Sequence, residues 1–299
     1  MSKTLMDQAF NEVKIAGKLI DVVFRDGKFD DGRPFKSATM TIRVTQTYNG
    51  QEETSEIPLS MIASQVTAQG KPSATYNTIV NKLPQLKTAQ ANGFEVADRV
   101  AVFHGKLREN TFPLRDGRII NGIQFNTNAL SSGDNVPDVA AFSTDIFIMD
   151  MHPEEDRDGD PTGRLIIKGA LVQYGTNLDV LEFVVENPDT INFIERNWNI
   201  NDTLNVRGFI RYTAKEQPKA ASENSWGEDI PEMTTRIVRE LVITKGDDNG
   251  REEDFAYDMN EIRKGFNVRK AKLEQLQINA QKKAAQAPKT NSSEYPGWE

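Results

Sequence analysis

The sequence predicts a mainly β protein made of two tandem OB-fold-like five-stranded barrels, each with a helix between its third and fourth strands, followed by a C-terminal helix and a disordered tail. The same order of alternating apolar segments occurs in residues 13–129 and again in residues 142–244, and this alternation is typical of half-buried strands. Beyond residue 249 the apolar residues change to a spacing of three or four, which is typical of a helix. We therefore expect domains at 1–140 and 141–248, a helical extension at 249–286 and a disordered tail at 287–299.

The first copy opens with an alternating strand at residues 13–24. A segment rich in glycine, proline and aspartate follows it and predicts a protruding loop at 25–35. The pair Asn49-Gly50 predicts a hairpin turn of the primed type between the second and third strands. Ser73 is a suitable N-cap for the helix, and Pro84 should end or kink it. The remaining predicted strands cover residues 38–45, 56–62, 99–108 and 119–130, with a loop at 109–118.

The second copy repeats this order with different side chains. Gly105 and Gly208 lie at the midpoints of the two fourth strands, where small barrels bend sharply. The order of elements is that of the OB-fold, whose outer face and loops 1–2 and 4–5 commonly bind single-stranded nucleic acid or sugars. Two unrelated small β-domains are the alternative interpretation. The predicted strands cover residues 142–150, 164–172, 178–185, 203–213 and 235–244, with an acidic loop at 151–163, a turn at 174–177, a helix at 188–198 and a loop at 214–234.

The composition limits the class of protein. With no cysteine among its 299 residues, the chain forms neither a disulfide framework nor a thiolate metal site. No apolar run approaches the roughly 20 residues of a membrane helix, and the N-terminus lacks the character of a signal peptide. We therefore expect a cytoplasmic protein that does not bind membranes.

The net charge of −8 is distributed unevenly along the chain. Residues 1–140 carry 16 Lys and Arg against 15 Asp and Glu, whereas residues 141–248 carry 11 against 21. Local potential, rather than total charge, governs contact with phosphates. The first domain is therefore the better candidate for binding a polyanion.

The two long loops of the first copy alternate cations with aromatic rings. Cations neutralise phosphates, and each ring can stack on a base at about 1–3 kcal/mol per base. This mixture is typical of single-strand binding with little sequence specificity. The candidate nucleic-acid-binding residues are Arg25, Lys28, Phe29, Arg33, Phe35 and Lys36 around the first loop, and Lys106, Arg108, Phe112, Arg115 and Arg118 around the second.

Further candidates lie on the second strand and in the second copy. The competing interpretation for the loop candidates of the first copy is that Phe29, Phe35 and Phe112 fold back onto the barrel and that the charges form a solvated rim. Trp198, at the end of a predicted helix, is expected to belong to the core. These further candidates are Arg43 and Tyr48, and then Arg164, Lys168, Tyr174, Arg207, Arg211, Tyr212 and Trp226.

No pattern in the sequence indicates catalysis. His104 and His152 are the only histidines, and neither a nucleophile elbow nor a phosphate-binding P-loop occurs. The alternating carboxylates of residues 156–160 resemble the start of a calcium loop, but Ile167 stands where the closing glutamate belongs, which excludes an EF-hand. We therefore expect no enzyme activity, no cofactor and no metal.

The chain resembles the tandem OB-fold single-stranded-DNA-binding proteins encoded by bacteriophages. The similarity covers both halves and is carried by Ile15-Ala16-Gly17-Lys18-Leu19, by residues 164–169 and by residues 226–232, together with the helical C-terminal segment. It implies a role in phage replication or recombination in which the protein coats exposed DNA in the cytoplasm of the infected cell. It also implies that the C-terminal tip, with Tyr295 and Trp298, recruits replication or recombination proteins. The tip differs from the several aspartates and Ile-Pro-Phe that end the bacterial single-strand binders.

Three functional hypotheses follow. The leading one is a non-enzymatic, largely sequence-independent single-stranded DNA binder. The alternative is a phage interaction or structural protein whose barrels dock protein rather than DNA. The third is a nuclease or other metal enzyme that uses Asp156, Asp158 and Asp160.

Overall fold

The protein consists of two rings of five strands with a long C-terminal helix. The computed structural model describes residues 8–286 except residues 30, 68, 115–117, 157, 176, 219–232 and 253–254, with the backbone alone at residues 215–218, 233–236 and 283–286. The first ring contains β1 (Asn11–Lys28), β2 (Pro34–Tyr48), β3 (Gln51–Ala63), β4 (Arg99–Pro113) and β5 (Ile119–Asn126). After the short β6 (Ser131–Ser132), the second ring contains β7 (Val139–Glu155), β8 (Pro161–Val172), β9 (Leu178–Val185), β10 (Thr203–Pro218) and β11 (Met233–Gly246).

Both rings close in the same order. In the first ring β1 pairs with both β2 and β4, and a short parallel pairing of β3 with β5 completes the circle. In the second ring β7 pairs with both β8 and β10, and β9 meets β11 in parallel. This order of strands is that of the OB-fold, and the predicted fold class is confirmed.

The rings are joined by one antiparallel pairing, between β1 and β7, so that all eleven strands form a continuous sheet. Val13 of β1 faces Phe142 of β7 in this pairing, and each also faces a glycine of a fourth strand, Gly105 or Gly208. The two rings are therefore related by an approximate twofold axis that passes between β1 and β7. The predicted domain boundary at residue 140 lies inside β7.

The predicted loops at 25–35, 109–118 and 151–163 are wrong in part, because strands extend into all three. Here β1 and β2, β4 and β5, and β7 and β8 extend beyond the rings as paired ribbons. A two-stranded ribbon has no core on either side, so it lacks the apolar alternation that identifies a strand in a sequence.

The helices begin at side-chain caps. Ser73 accepts a hydrogen bond from the backbone N–H of Tyr76 and begins α1 (Ala74–Asn77), as predicted. A π-helical turn at Thr78–Lys82 and a 3-10 turn at Leu83–Gln85 continue it, and Pro84 lies in the last turn. The later helices are α2 (Ala89–Asn92), capped by Thr88, and α3 (Pro188–Asn197), capped by Asn187.

The interiors of both rings and their junction form one hydrophobic cluster. Its members include Ile15, Met40 and Phe125 in the first ring and Phe183 and Leu241 in the second. Trp198 is 4% exposed and belongs to this cluster, as the sequence predicts.

The C-terminal helix α4 (Met259–Gln286) packs on the body through its first half. Ile262 is buried in a second cluster with Phe147 and Ala170, and Phe266 packs against it. Arg269 forms an ion pair with Glu109 of β4. Among the helices that the structure describes, none is both long and apolar enough to cross a membrane.

Candidate nucleic-acid interface

The outer face of β1, β2 and β3 carries a row of charged side chains across the first ring. Lys18, Arg43 and Glu56 are register partners on these three strands. The Nε of Arg43 donates to Glu56 Oε1 at 2.9 Å, and its Nη2 donates to the same oxygen. The row therefore holds two cations and one carboxylate on a partly exposed surface.

An aromatic ring lies beside these cations, and no sequence pattern predicts its position. The ring centroid of Phe94 is 4.9 Å from both the Nζ of Lys18 and the Cζ of Arg43, and 40% of Phe94 is exposed. Lys18 Nζ also donates to the carbonyls of Phe94 and Glu95 at 2.7 and 2.9 Å. Gly93, with φ of +91°, turns the chain after α2 so that Phe94 reaches the face. We call Lys18, Phe94 and Arg43 the cation–aromatic cluster.

A charged row on the second ring has the opposite balance of charge. Asp150, Lys168 and Glu182 are register partners on β7, β8 and β9. This row holds two carboxylates and one cation, whereas the row of the first ring holds two cations and one carboxylate. The positions that match Lys18 and Arg43 by register are the apolar Phe147 and Ala170. A phosphate chain should prefer the outer face of the first ring.

A groove of 510 Å³ separates the outer face of the first ring from the β10–β11 ribbon of the second. One wall carries Thr41, Arg43, Thr54, Glu56 and Pro58, and the other carries Tyr212, Thr213, Ala214 and Ile237. We call this space the inter-ring groove. It brings together two predicted site residues, Arg43 and Tyr212, that belong to different rings.

A buried ion-pair network fixes the second wall of this groove. The side chain of Arg211 is 8% exposed and donates to Glu53 of β3 at 2.9 Å, to Glu186 at 2.6 Å and to Glu240 of β11 at 2.7 Å. Arg164 contacts Glu240 at 2.7 Å from the other side. Both arginines were predicted to contact nucleic acid, but the structure places them against carboxylates.

The protonation state of Glu240 should make stability depend on pH. Burial favours a higher pKa for this carboxyl, but hydrogen bonds from Arg164 and Arg211 outweigh burial and lower the pKa below its ordinary value of 4.5. The stabilisation is therefore complete above pH 4.5 and is lost as the pH falls through the lowered pKa. In urea unfolding at several pH values, the difference between wild type and Glu240→Gln should shrink as the solution is acidified. A difference that is constant with pH would contradict this.

The candidates in the β1–β2 ribbon form a small cluster of their own at its tip. The rings of Phe29 and Phe35 are 4.8 Å apart, and Arg33 lies over Phe29 at 5.6 Å. Arg33 pairs with Asp31 and Lys36 pairs with Asp26, both on the surface. Arg25 and Lys28 are exposed, with no ion pair to the described part of the chain.

The candidates around β4 and β5 do not form one surface. Lys106 donates to the carbonyl of Asn11 at 2.8 Å, and Arg108 pairs with Asp179 of β9 at 2.7 Å. Burial raises the pKa of Asp179 even though Arg108 opposes that shift. Phe112 is 37% exposed on the ribbon, and Arg118 is exposed at the start of β5. Arg115 lies outside the described residues.

Tyr48 and the remaining candidates of the second ring are dispersed. Tyr48 packs on Phe209 of β10 with the ring centroids 4.3 Å apart, and burial raises the pKa of its phenol. Tyr174 is 83% exposed in the β8–β9 turn, and Arg207 donates to Asn205 Oδ1 at 3.0 Å. Lys168 lines a second groove of 310 Å³ together with Arg239 and Asn121. Trp226, Tyr295 and Trp298 lie outside the described residues, as does the predicted disordered tail.

The groups considered for catalysis have structural partners. His104 Nδ1 lies 2.9 Å from Glu12 Oε1, and His152 Nδ1 lies 3.2 Å from Asp150 Oδ2. Asp156 Oδ1 accepts the backbone N–H groups of Asp158 and Asp160 and so closes the β7–β8 turn. In the described part of the chain, no three His, Asp or Glu side chains are grouped as a metal site requires.

Two solved structures align with most of this chain. A deletion variant of the single-stranded DNA binding protein from Thermus aquaticus is 11% identical to this chain, with a TM-score of 0.50 over 82% of this chain and 96% of that chain. The wild-type form of that protein gives 12% identity and a TM-score of 0.48 over the same shares. At this identity the first alignment establishes the shared OB-fold.

A shorter protein and a family model complete the comparisons. The small single-stranded DNA-binding protein from Streptomyces coelicolor is 13% identical, with a TM-score of 0.24 over 43% of this chain and 96% of that chain. No curated protein matches the sequence. The family model described as YorF matches residues 9–279, which include both rings and most of α4. The chain belongs to the YorF family.

Proposed function

We propose that this protein binds single-stranded DNA without catalysis and largely without sequence preference, along the outer face of β1, β2 and β3. The observation that carries the proposal is the cation–aromatic cluster of Lys18, Phe94 and Arg43 on that face. Two cations within reach of one exposed ring provide contacts for phosphates and a surface for a base. The OB-fold shared with the Thermus aquaticus single-stranded DNA binding protein supports the same function.

The difference between the rings supports the choice of face. The charged row of the first ring carries a net positive charge, which favours phosphates. Asp150 and Glu182 give the charged row of the second ring a net negative charge. Exposed Arg25 continues the positive surface along β1 towards the ribbon tip. The biological role that we propose is the coating of exposed DNA during phage replication or recombination, on the basis of the sequence resemblance.

A fluorescence anisotropy titration with an oligothymidine at two salt concentrations tests the proposal. Binding through three phosphate contacts should give a slope of about −2 for log K against log salt. The same titration with RNA and with duplex DNA shows the preference among nucleic acids. Absence of binding at low salt would contradict the proposal and would favour the alternative in which the barrels dock protein rather than DNA.

Arg43→Gln should weaken binding and reduce the salt slope by about 0.7, because one phosphate contact is lost. Lys168→Gln, on the charged row of the second ring, should weaken binding less, because that row is acidic. Arg196→Gln, on exposed α3, serves as the control for removing a surface arginine. Equal losses in Arg43→Gln and Lys168→Gln would show that the two faces do not differ in the way we propose.

A further inference from the structure

The inter-ring groove is built from both rings and opens beside the cation–aromatic cluster. Arg43 belongs to both, because its guanidinium contacts Phe94 and also lines the groove. A strand of DNA on the outer face of the first ring would therefore meet the second ring at this place. The side chain that it would meet on the opposite wall is Tyr212.

We propose that this groove is a composite binding site in which Tyr212 of the second ring stacks on a base whose backbone is held by the first ring. The inference rests on the proposed single-stranded DNA binding and adds a contribution from the second ring. In the same arrangement Arg211 is a positioning residue, which holds the Tyr212 wall at its distance from β2 and β3.

The chemistry of the two walls suits an unstacked nucleotide. Tyr212, Ile237 and Pro58 provide an aromatic and apolar surface, and a stacked base gains about 1–3 kcal/mol on such a ring. Arg43 donates hydrogen bonds from Nε and Nη2 to Glu56 Oε1. Its Nη1 donors have no hydrogen-bond partner in the described part of the chain. The buried hydroxyl of Thr213 likewise has no hydrogen-bond partner there.

The wall that carries Tyr212 is held by a hydrogen bond and by a cation–π contact. The backbone N–H of Tyr212 donates to Ser55 Oγ of β3 at 3.0 Å, which ties the second ring to the first. The Cζ of Arg239 lies 5.1 Å from the Tyr212 ring centroid. Because Tyr212 is fixed before any ligand arrives, stacking on it costs little side-chain entropy.

Arg211 is too deeply buried to contact a ligand, so it can affect binding only through the position of the wall that carries Tyr212. Its bonds to Glu53 cross the junction between the rings, while its bonds to Glu186 and Glu240 stay within the second ring. The Tyr48–Phe209 contact joins the rings at the same level. Loss of the Arg211–Glu53 bond should therefore loosen the spacing of the groove without removing a phosphate contact.

The approximate twofold axis relates the inter-ring groove to the second groove, and the second groove lacks the side chains that suit a nucleotide. Its lining includes Lys168, Glu182 and Arg239, and no aromatic residue of the described chain contributes to it. Its volume is 310 Å³ against 510 Å³. The composite site is accordingly assigned to one groove only.

Titration of Tyr212→Leu with an oligothymidine tests the stacking. Removal of the ring should weaken binding roughly 5- to 150-fold, the range that corresponds to one stacked base, with an unchanged salt slope. Tyr212→Phe should bind like wild type because it keeps the ring, and Phe193→Leu on α3 is the control for loss of a surface aromatic. Binding by Tyr212→Leu that equals wild type would overturn the inference and leave the proposed function intact.

Photocrosslinking tests the composite site directly. With the full-length protein and an oligothymidine that carries 4-thiothymidine, we expect crosslinked peptides from β10 as well as from β2 and β3. In Glu53→Gln the yield on β10 should fall relative to that on β2 and β3, whereas general destabilisation would lower both together. Crosslinks confined to the first ring in wild type would refute the composite site. A ratio of β10 crosslinks to β2 and β3 crosslinks that Glu53→Gln leaves unchanged would refute the positioning role of Arg211. Absence of binding by wild type would remove the proposed function and this inference together.

Discussion

The substitution Arg211→Met should lower the free energy of unfolding by about 3 kcal/mol, because it removes the single cation that three carboxylates share. Glu53, Glu186 and Glu240 each accept a hydrogen bond from this guanidinium. Without it, only Arg164 remains, among the described residues, to offset the repulsion among these carboxylates, through its contacts with Glu186 and Glu240. The expected loss is at the low end of the range for broken buried pairs, since the three side chains keep 15–24% exposure.

Urea unfolding of wild type and variant measures this loss. Arg33→Met is a matched control, because Arg33 also pairs with a carboxylate but on the surface, where 53% of its side chain is exposed. We expect no resolved change in that control. Arg211→Lys should give an intermediate loss, since an ammonium keeps the charge but cannot bond three carboxylates with the geometry of a guanidinium. Equal stability of Arg211→Met and wild type would show that the network contributes nothing to folding.

The second large effect is expected at Gly208, where β10 crosses close to β11. A Cβ atom at this position would lie 1.8 Å from the carbonyl oxygen of Val242, a backbone atom that cannot move without breaking the ladder. Gly208→Ala should therefore destabilise the protein by about 3 kcal/mol, or prevent folding. The register of β10 against β11 shifts at the same place, which agrees with the bend predicted for the midpoint of this strand.

A series of glycine-to-alanine variants separates this clash from the general effect of adding a methyl group. At Gly105, the counterpart in the first ring, the nearest atom to a new Cβ is the Val13 carbonyl oxygen at 3.2 Å, so the loss should be smaller. At Gly122 on β5 the nearest atom is 3.7 Å away, an ordinary contact, so Gly122→Ala should be close to neutral. Thermal unfolding should rank the variants in that order. A Gly208→Ala protein as stable as Gly122→Ala would show that the approach of the two strands is not a constraint.

Local features of the sequence were sufficient for much of the fold. The Asn49-Gly50 turn was predictable because both residues adopt positive φ, +49° and +77°, which few other pairs tolerate. The cap at Ser73 and the strand β9 were predictable for the same reason, since each depends on neighbouring residues. The ribbons were not, because their side chains lack the apolar alternation that a barrel interior imposes.

Fewer features of the candidate site than of the fold were predictable from the sequence. Arg43 was identified as a surface cation of a strand, but its partners Phe94 and Glu56 were not, and Phe94 lies in a short turn after α2 without any recognisable pattern. Arg211 and Arg108 matched the composition of a phosphate-binding surface, yet each is engaged by carboxylates of the other ring. Composition cannot distinguish a cation that faces solvent from one that faces a carboxylate 71 or 158 residues away.

The sequence by itself determined that two rings of strands form and that the first is less acidic than the second, because strand periodicity, turn chemistry and net charge are local or additive properties. Only the tertiary structure decided that β1 and β7 join the rings into one sheet, that Arg43 and Tyr212 share a groove, and which arginines are neutralised. These features depend on contacts between residues far apart in the chain, and such contacts arise only when both rings have folded and packed.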